Sequence, residues 1–415
     1  MGDEPRAPRG TFDVLPADHP ARARVEHLAA RILSAAGYQP ISTPAFEDTA
    51  LFARGVGEST DIVEKQMFSF TDQGDRELTL RPEGTAPICR AYVEHGMSRL
   101  AQPVKLRYSG AFFRHERPQA GRYRQFHQVG AEAIGSDSPL LDVELICLLA
   151  DLIAALGIDD ARLRLGSLGS VESRNAYLDE LRDYLRVHEA SLSDEVRGRI
   201  DSNPMRAFDA DHEGTREVMV DAPTLIDRLD SDDAAHFAAV RAALDEAGVS
   251  YEVDPRLVRG LDYYTRTVFE FTCDRLGAQS GLGGGGRYDG LVELVGGKPT
   301  PAAGWAAGME RLVLAMAPVE REPTIDVFVV ADDGSRSRAL SLATELRRAG
   351  LSADLDLAGR AVKGQMKQAD RLGARLAVVL EEGAEPKLRD MSSGEQREVS
   401  TDDLVAEIGS GDGTR

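Results

Sequence analysis

The segment RYSGAFFRHERPQAGRYRQFHQVGAEAIG, residues 107–135, has the pattern of a β-hairpin with a strongly basic loop. Aromatic and apolar residues alternate with small or polar ones on both sides of the loop, which predicts antiparallel strands over residues 108–113 and 126–134. The loop between them, residues 114–124, is called the arginine loop below; its arginines are Arg114, Arg117, Arg122 and Arg124. Guanidinium groups suit phosphates and carboxylates, so a polyanionic ligand is predicted. The alternative is a solvated basic surface.

The composition is that of an acidic globular protein. A chain of 415 residues is long enough for two or three domains, and its net charge of -20 opposes nonspecific binding to nucleic acid. Any nucleic-acid partner must therefore meet local basic patches, such as the arginine loop or the group Lys363, Lys367 and Arg371. No apolar run reaches the length of a membrane span and the N-terminus lacks a signal-like apolar segment, so we expect a cytoplasmic protein with no membrane contact.

The three cysteines lie far apart in the sequence, at positions 89, 147 and 273. They form no CxxC pair, so neither a disulfide framework nor a structural zinc site is predicted.

Two further segments predict ligand contacts. LTLRPEGTAPICRAYVEH, residues 78–95, predicts a strand, a turn and a helix that begins near Thr85. Glu83 then lies at a strand end, where its carboxylate could hold an ammonium group or favour the helix N-terminus. RGLDYYTRTVFEFTCDRLGAQSGLGGGGRYDGL predicts a strand over residues 267–272, followed by four glycines that let backbone and ligand approach closely. A GxGxxG match there is weak, because the βαβ context is missing.

Changes in the pattern of helix-forming and strand-forming segments divide the chain into domains. Residues 1–320 are predicted to form one domain, which includes a charged helical insertion over approximately residues 170–250. Strands alternate with helices after Pro323, which predicts a small parallel α/β domain over residues 321–415.

Taken together, these segments resemble the histidyl-tRNA synthetases, a family of class II aminoacyl-tRNA synthetases, over nearly the whole chain. The segment around Pro44 is similar to motif 1, FRHE with its loop to motif 2, and GMER, residues 308–311, to motif 3. RGLDYYTRTVFE from Arg259 and GGGGRYDGL from Gly283 resemble two blocks specific to the histidine enzyme. NPMRAFD from Asn203 resembles an NPLR-type sequence, but the residues after it depart from the usual form, so tRNA contacts of the insertion stay open.

The resemblance implies an α+β fold with an antiparallel six-stranded catalytic sheet, flanking helices and a helical insertion, followed by a C-terminal α/β anticodon-binding domain. It implies an ATP-dependent ligase that activates L-histidine to histidyl-adenylate, releases pyrophosphate and transfers histidine to the 3′ end of tRNA(His). Mg²⁺ is implied as the companion of ATP, with protein ligands that cannot be read from the sequence. Because motif 1 lies at the dimer interface in this family, a homodimer is expected.

The resemblance also assigns roles to individual residues. The catalytic cations beside the α-phosphate are Arg259 and Arg114. Histidine binding is assigned to Glu83, Gly84, Thr85, Arg114, Gln128, Glu132, Arg259, Tyr263, Tyr264 and Tyr288. ATP binding is assigned to Arg114, Glu116, Arg122, Phe126 and Arg311, and tRNA binding to Lys363 and Lys367. The tyrosines could instead be packing residues of the sheet, and Arg122 could contact either ATP or the tRNA acceptor end.

Two other functions compete with the ligase. The regulatory subunit of ATP phosphoribosyltransferase resembles the catalytic core without aminoacylating, but it typically lacks an anticodon domain and the intact histidine-specific blocks. Another class II synthetase, such as a prolyl or threonyl enzyme, is disfavoured by RGLDYYTRTVFE and by the missing zinc-ligand pattern.

Overall fold

The computed structural model describes residues 4–56, 60, 62–258, 260–318, 325–400 and 403–410. The chain divides into two compact units at Pro318, and each unit has its own sheet. None of the helices in the described ranges has the length and apolarity that a membrane crossing requires.

The first unit is a mixture of helices and strands. Its strands are β1 (Gln39–Pro40), β2 (Phe46–Asp48), β3 (Phe68–Thr71), β4 (Glu77–Leu80), β5 (Val104–Phe113), β6 (Gln125–Ile134), β7 (Ala161–Ser167), β8 (Glu252–Val253), β9 (Thr265–Cys273), β10 (Gly281–Arg287) and β11 (Ala302–Gly308). Its α-helices are α1 (His19–Ala35), α2 (Thr49–Val56), α3 (Thr85–Glu94), α4 (Pro139–Ala155), α5 (Val171–Val187), α6 (Asp194–Arg197), α7 (Glu213–Val220), α8 (Ser231–Glu246), α9 (Leu291–Leu294) and α10 (Met309–Ala315).

A large sheet with the order β1-β5-β6-β11-β10-β9-β7-β8 organises this unit. Its six central strands are antiparallel to their neighbours, and each edge adds a two-residue strand paired in parallel. The predicted six-stranded antiparallel sheet is thus confirmed, although the full sheet is slightly wider. The predicted hairpin is confirmed as well, because β5 pairs with β6 up to Phe113 and Gln125, directly at the arginine loop.

Alternation along β6 separates the site from the core. Successive side chains of a strand point to opposite faces of its sheet. Val129, Ala131 and Ala133 are therefore buried on one face, while Gln128 and Glu132 share the other face. The helix α4 packs against β11 and α1, and its apolar residues contribute to the core. The polar face of β6 is left available for ligand contacts.

The segment between β7 and β8 is helical over its described elements, α5 to α8 with short 3₁₀ turns. Ser170 caps α5 by accepting a hydrogen bond from the amide of Ser173, and Asp230 caps α8 by accepting from Asp232 and Asp233. One face of α5 is buried, with Tyr177, Leu181 and Leu185 in the core.

The second unit has a sheet with the order β13-β12-β14-β15-β16. Its elements are β12 (Ile325–Ala331), α11 (Arg336–Arg348), β13 (Ala353–Leu355), α12 (Val362–Arg371), β14 (Ala374–Leu380), β15 (Lys387–Asp390), β16 (Gln396–Glu398) and α13 (Leu404–Ser410). The predicted parallel pairing holds for β12, β13 and β14, whereas β15 and β16 are antiparallel and were not predicted. Their charged sequence lacks the apolar alternation that identifies a strand.

A buried ionic cluster joins β10 to α4 and α8 in the first unit. Arg287 is 0% exposed and its Nη2 donates to Asp142 Oδ1 at 2.7 Å. The second carboxylate oxygen of Asp142 lies 2.7 Å from His236 Nε2 and accepts from Thr267 Oγ1 at 2.8 Å. Removing one partner of such a group leaves a buried charge uncompensated.

We therefore expect Asp142→Ala to lower the free energy of unfolding of the full chain by about 3–5 kcal/mol, because Arg287 would keep only the partly exposed Asp289 as a counter-charge and His236 and Thr267 would lose their acceptor. The measurement is urea denaturation followed by circular dichroism. The exposed neighbour Asp137 provides the control, since Asp137→Ala should cost under about 0.5 kcal/mol. Equal losses for the two variants would contradict a stabilising role of the cluster.

Candidate active site

A cavity of about 230 Å³ opens on the polar face of the large sheet. Its walls come from the turn before α3, the arginine loop, the segment before β9, and the strands β9, β10 and β11. Sequence-predicted residues that line it are Glu83, Gly84, Thr85, Arg114, Glu116, Arg122, Phe126, Gln128, Tyr263, Tyr264 and Arg311. Residues far apart in the chain are thus gathered around one space.

Glu132 lies directly beneath this cavity and is 1% exposed. Its Oε1 accepts a hydrogen bond from Thr85 Oγ1 at 2.8 Å, and its Oε2 accepts from the Tyr288 hydroxyl at 2.5 Å. The Tyr108 hydroxyl lies 3.5 Å from Oε1. Burial raises the pKa of Glu132 to about 8, although the hydrogen bonds from Tyr288 and Thr85 act in the opposite direction. The site therefore contains a carboxyl group held by hydroxyl donors away from water.

Three glycines make the space that Glu132 and Tyr108 occupy. A Cβ on Gly304 would lie 1.7 Å from Glu132 Oε2, and one on Gly130 would lie 2.3 Å from Tyr108 Cζ. A Cβ on Gly84 would come within 2.9 Å of the same tyrosine ring. Real Cβ atoms do not approach other atoms so closely, so a side chain at these positions would displace the acid or the ring.

Glu83 holds the start of α3. Its Oε2 accepts from the amide of Thr85 at 2.6 Å, and its Oε1 accepts from the amide of Ala86 at 3.0 Å. The Tyr263 hydroxyl lies 3.5 Å from Oε2. Burial raises the pKa of Glu83. Of the two roles that the sequence left open for Glu83, the structure shows the one at the N-terminus of the helix. The carboxyl group also borders the cavity, where it can accept a hydrogen bond from a ligand ammonium group.

Two half-buried arginines give the other end of the cavity its positive charge. Arg114 Nε donates to the Pro82 carbonyl at 2.9 Å, and its guanidinium carbon lies 5.3 Å from the centroid of Phe126. Arg311 donates from Nη1 to the Gly281 carbonyl at 2.7 Å and from Nε to Gly121 at 3.2 Å. Burial lowers the pKa of both guanidinium groups. These hydrogen bonds go to neutral carbonyl oxygens, so the charge remains available for an anion.

Three tyrosines pack against one another beside Glu132. The ring centroid of Tyr263 lies 4.8 Å from that of Tyr264 and 5.7 Å from that of Tyr288. Burial raises the pKa of Tyr263 and Tyr288 well above the usual range. They are packing residues and neutral hydroxyl donors at the same time, so the two interpretations from the sequence do not exclude each other.

Three predicted residues are, for other reasons, not among those that line the cavity. Arg259 lies outside the described residues, although the next two residues, Gly260 and Leu261, line the cavity. Lys363 and Lys367 belong to the second unit, where both are exposed on α12.

Several cavity residues were missed by the sequence analysis. Tyr108 was considered only as part of the alternating strand, and nothing local reveals that glycines from two other segments surround its ring. Glu310 was noted only as part of the helix start; it accepts from Arg22 Nη2 at 2.9 Å and from the amide of His127 at 3.0 Å. Glu270 alternates with apolar residues along β9, a pattern equally typical of a solvent-facing residue.

The described residues contain no group of three or more His, Cys, Asp or Glu side chains arranged to hold a metal ion.

Comparisons with known proteins agree with this geometry. A family model described as histidyl-tRNA synthetase matches residues 10–312, and one described as an anticodon binding domain matches residues 324–410. A protein named histidine–tRNA ligase from Desulforamulus reducens is 46% identical, over 96% of this chain and 97% of its own length. One from Anaeromyxobacter dehalogenans is 48% identical, over 96% and 98%. The solved apo histidyl-tRNA synthetase of S. aureus is 36% identical with a TM-score of 0.83, covering 98% of this chain and all of that one.

The raised pKa of Glu132 predicts a pH-dependent stability. The folded state keeps the Glu132 proton between about pH 4.5, the ordinary value, and about pH 8, whereas the unfolded state releases it. Stability from this group is therefore complete below that window and is lost as the pH rises through it, by up to about 1.4 kcal/mol per pH unit. Glu132→Gln should remove this dependence.

The measurement is the free energy of unfolding at a series of pH values across the window, compared between the two proteins. Glu293→Gln, at an exposed position, is the control and should keep the wild-type slope. An identical slope in Glu132→Gln and wild type would show that Glu132 is already ionised in the folded protein.

Proposed function

This chain belongs to the histidyl-tRNA synthetase family, and we propose from that membership that its cavity activates L-histidine with ATP and then passes histidine to the 3′ end of tRNA(His). The chain is accordingly an ATP-dependent histidine–tRNA ligase. The single observation that carries the choice of amino acid is Glu132, a buried acid that three hydroxyl groups surround beneath the cavity. The steps below assign roles to residues of that cavity.

The imidazole of histidine is proposed to lie over Glu132. One ring nitrogen would donate to the Glu132 carboxyl group, and the other would accept from a hydroxyl of the tyrosine cluster at Tyr263 and Tyr264. A buried polar group left unpaired is costly, so an analogue without ring nitrogens should be rejected by on the order of ten-thousandfold. Tyr288 would act by holding Glu132 in place.

The α-amino end of histidine is proposed to lie at the turn before α3. Glu83 offers a buried carboxylate there, and Gln128 and Thr85 line the same wall. Gly84 keeps this wall open because it carries no side chain. The carboxylate of histidine would then point toward Arg114, where the reaction with ATP takes place.

ATP is proposed to occupy the cationic end of the cavity. Phe126 offers a ring face for adenine, Arg114 the charge for the α-phosphate, and Arg311 the charge for the γ-phosphate. Attack of the histidine carboxylate on the α-phosphate crowds negative charge into one place, so fixed positive charge and positioning supply the catalysis. Arg122 lies at the exposed margin, 3.3 Å from the half-buried carboxylate of Glu116, and both side chains are proposed to contact the nucleotide.

Arg259 is proposed as the second cation at the α-phosphate. Its chain neighbours Gly260 and Leu261 line the cavity, which supports the role that the sequence resemblance assigns.

Mg²⁺ is proposed to enter with ATP. Glu270 and Glu116 are carboxylates of the cavity wall, and a hard cation takes such oxygens together with those of phosphates. The bound ion would supply charge that offsets the phosphates. Chelation by EDTA should abolish activity and added Mg²⁺ should restore it; activity that persists in EDTA would refute this requirement.

A homodimer in the cytoplasm is proposed for the assembly and location. The small sheet β2-β4-β3 exposes Phe46 and Phe70, whose ring centroids lie 6.2 Å apart. An exposed aromatic pair next to the motif 1 segment supports an interface with a second copy. Sedimentation equilibrium should return about twice the chain mass; a single-chain mass at all concentrations would refute the dimer.

A regulatory subunit remains the nearest competing function. It is disfavoured because the anticodon-domain match covers residues 324–410 and because the arginines of motifs 2 and 3 both reach the cavity.

The test of the proposed function is pyrophosphate exchange into ATP with each amino acid in turn, on purified protein without tRNA. Only histidine should support exchange, because only histidine pairs with Glu132. The same assay should show Arg259→Ala slowed by on the order of hundredfold with histidine affinity little changed. Histidine binding without any exchange in the wild type would favour the regulatory subunit.

Two exposed lysines of the anticodon-binding unit are proposed to contact the tRNA backbone. Lys363→Glu with Lys367→Glu should raise the KM for tRNA(His) about tenfold in aminoacylation, because two backbone contacts would become repulsive. Pyrophosphate exchange without tRNA should be unchanged. Lys298→Glu, an exposed lysine of the first unit, is the control. An unchanged KM for tRNA in the double variant would remove these lysines from the tRNA contact surface.

A further inference from the structure

The segment that precedes α1 crosses the base of the arginine loop. Residues 9–12, called the strap below, contact Arg124 at the end of that loop. The amide of Arg124 donates to the Gly10 carbonyl at 2.7 Å, and its Nη1 lies 3.5 Å from the Arg9 carbonyl. The strap therefore adds backbone and side-chain hydrogen bonds to a loop that also carries Arg114.

Gly10 fits the strap closely to the loop. It has a φ of +85°, which L side chains rarely adopt. A Cβ at this position would lie 2.7 Å from Arg124 Cγ and 3.0 Å from Pro118 Cγ. The glycine is thus required both by the backbone conformation and by the closeness of the contact.

Phe12 extends the contact to the wall of the cavity. Its ring centroid lies 4.6 Å from that of Tyr123, at an interplanar angle of 54°. Tyr123 itself lines the cavity beside Arg122. Phe12 is 42% exposed, so this ring contributes little to the core and its main contact is with the loop.

Arg124 connects the strap to Arg114 at the other end of the loop. Its carbonyl accepts from the amide of Arg114 at 2.9 Å, and its Nε donates to the Glu116 carbonyl at 3.4 Å. The strap and Arg114 are therefore bonded to the same residue.

The tip of the loop is held in a different way. The Gly121 carbonyl accepts from Arg311 Nε at 3.2 Å. In the proposed function, Arg311 must also serve the γ-phosphate, so the ligand competes for the group that holds the tip. The hydrogen bonds between the strap and Arg124 involve no side chain that is proposed to bind a phosphate.

We propose that Gly10 and Phe12 are positioning residues, which hold the arginine loop against the cavity and thereby set its affinity for ATP. The strap acts through Tyr123 and Arg124 and touches no reacting atom. The ATP part of this inference rests on the proposed function, whereas the ordering of the loop does not.

The direct test is limited trypsin digestion of the full chain without substrates. The arginine loop offers an exposed cleavage site at Arg122, whereas the bond after Arg117 resists trypsin because Pro118 follows it. Phe12→Ala should raise the cleavage rate there by about three- to tenfold, because the aromatic contact with Tyr123 is lost and the loop opens more often. Leu15→Ala, in the same segment and 59% exposed, is the matched control and should leave the rate unchanged. Equal rates in the two variants would overturn the proposal.

The kinetic test uses histidine-dependent pyrophosphate exchange. Phe12→Ala and Gly10→Ala should raise the KM for ATP by about three- to tenfold while the KM for histidine stays within about twofold. Phe12→Tyr should keep both the cleavage rate and the KM for ATP at their wild-type values, since it keeps an aromatic ring against Tyr123. Faster cleavage without any change in the KM for ATP would overturn the positioning role. If the wild-type protein supports no exchange, the proposed function is refuted. The ordering of the loop by the strap is not, because the digestion measures it without substrates.

Discussion

The burial of Glu132 is the constraint on which the rest of the first unit depends. A carboxyl group can remain in a dry interior only if hydrogen-bond donors replace the water it has lost. Here those donors come from α3 and from the residue that follows β10, and Tyr108 of β5 approaches as well. Strands distant in the chain must therefore keep a fixed register with one another. The antiparallel sheet provides that register, because Gly304 pairs with Glu132 in the ladder between β11 and β6.

The two ends of the cavity use burial for opposite purposes. At Glu132, burial favours the neutral form of an acid, which makes the pairing with a ligand ring strict because any mismatch leaves a polar group without a partner. At Arg114 and Arg311, burial strengthens the field of cations whose hydrogen bonds go to carbonyl oxygens. One cavity can thus discriminate at one end and stabilise developing negative charge at the other. The net charge of -20 does not prevent this, since the effect of these half-buried arginines is local.

The sequence predicted those features that short-range patterns encode. The alternation on both sides of the arginine loop predicted the hairpin of β5 and β6, and the block similarity predicted which residues gather at the cavity. The environment of Glu132 was beyond such reasoning, because it depends on Gly304, which lies far along the chain, and on the space around Tyr108. β15 and β16 were missed for a related reason, since their pairing is set by neighbours in the sheet and not by apolar alternation.

The strap shows that an exposed contact can affect binding when the segment it contacts, here the arginine loop, has few other attachments. A loop with many charged residues gains little from burial, so its order must come from hydrogen bonds at its ends. Arg311 supplies one at the tip, and Gly10 supplies another at the base through Arg124. Because the first is shared with the phosphate-binding role proposed for Arg311, the second is the attachment that would persist while ATP is bound. A glycine and a half-exposed phenylalanine near the N-terminus therefore belong to the same physical system as Arg114 and Arg311, although neither has a side chain that can react.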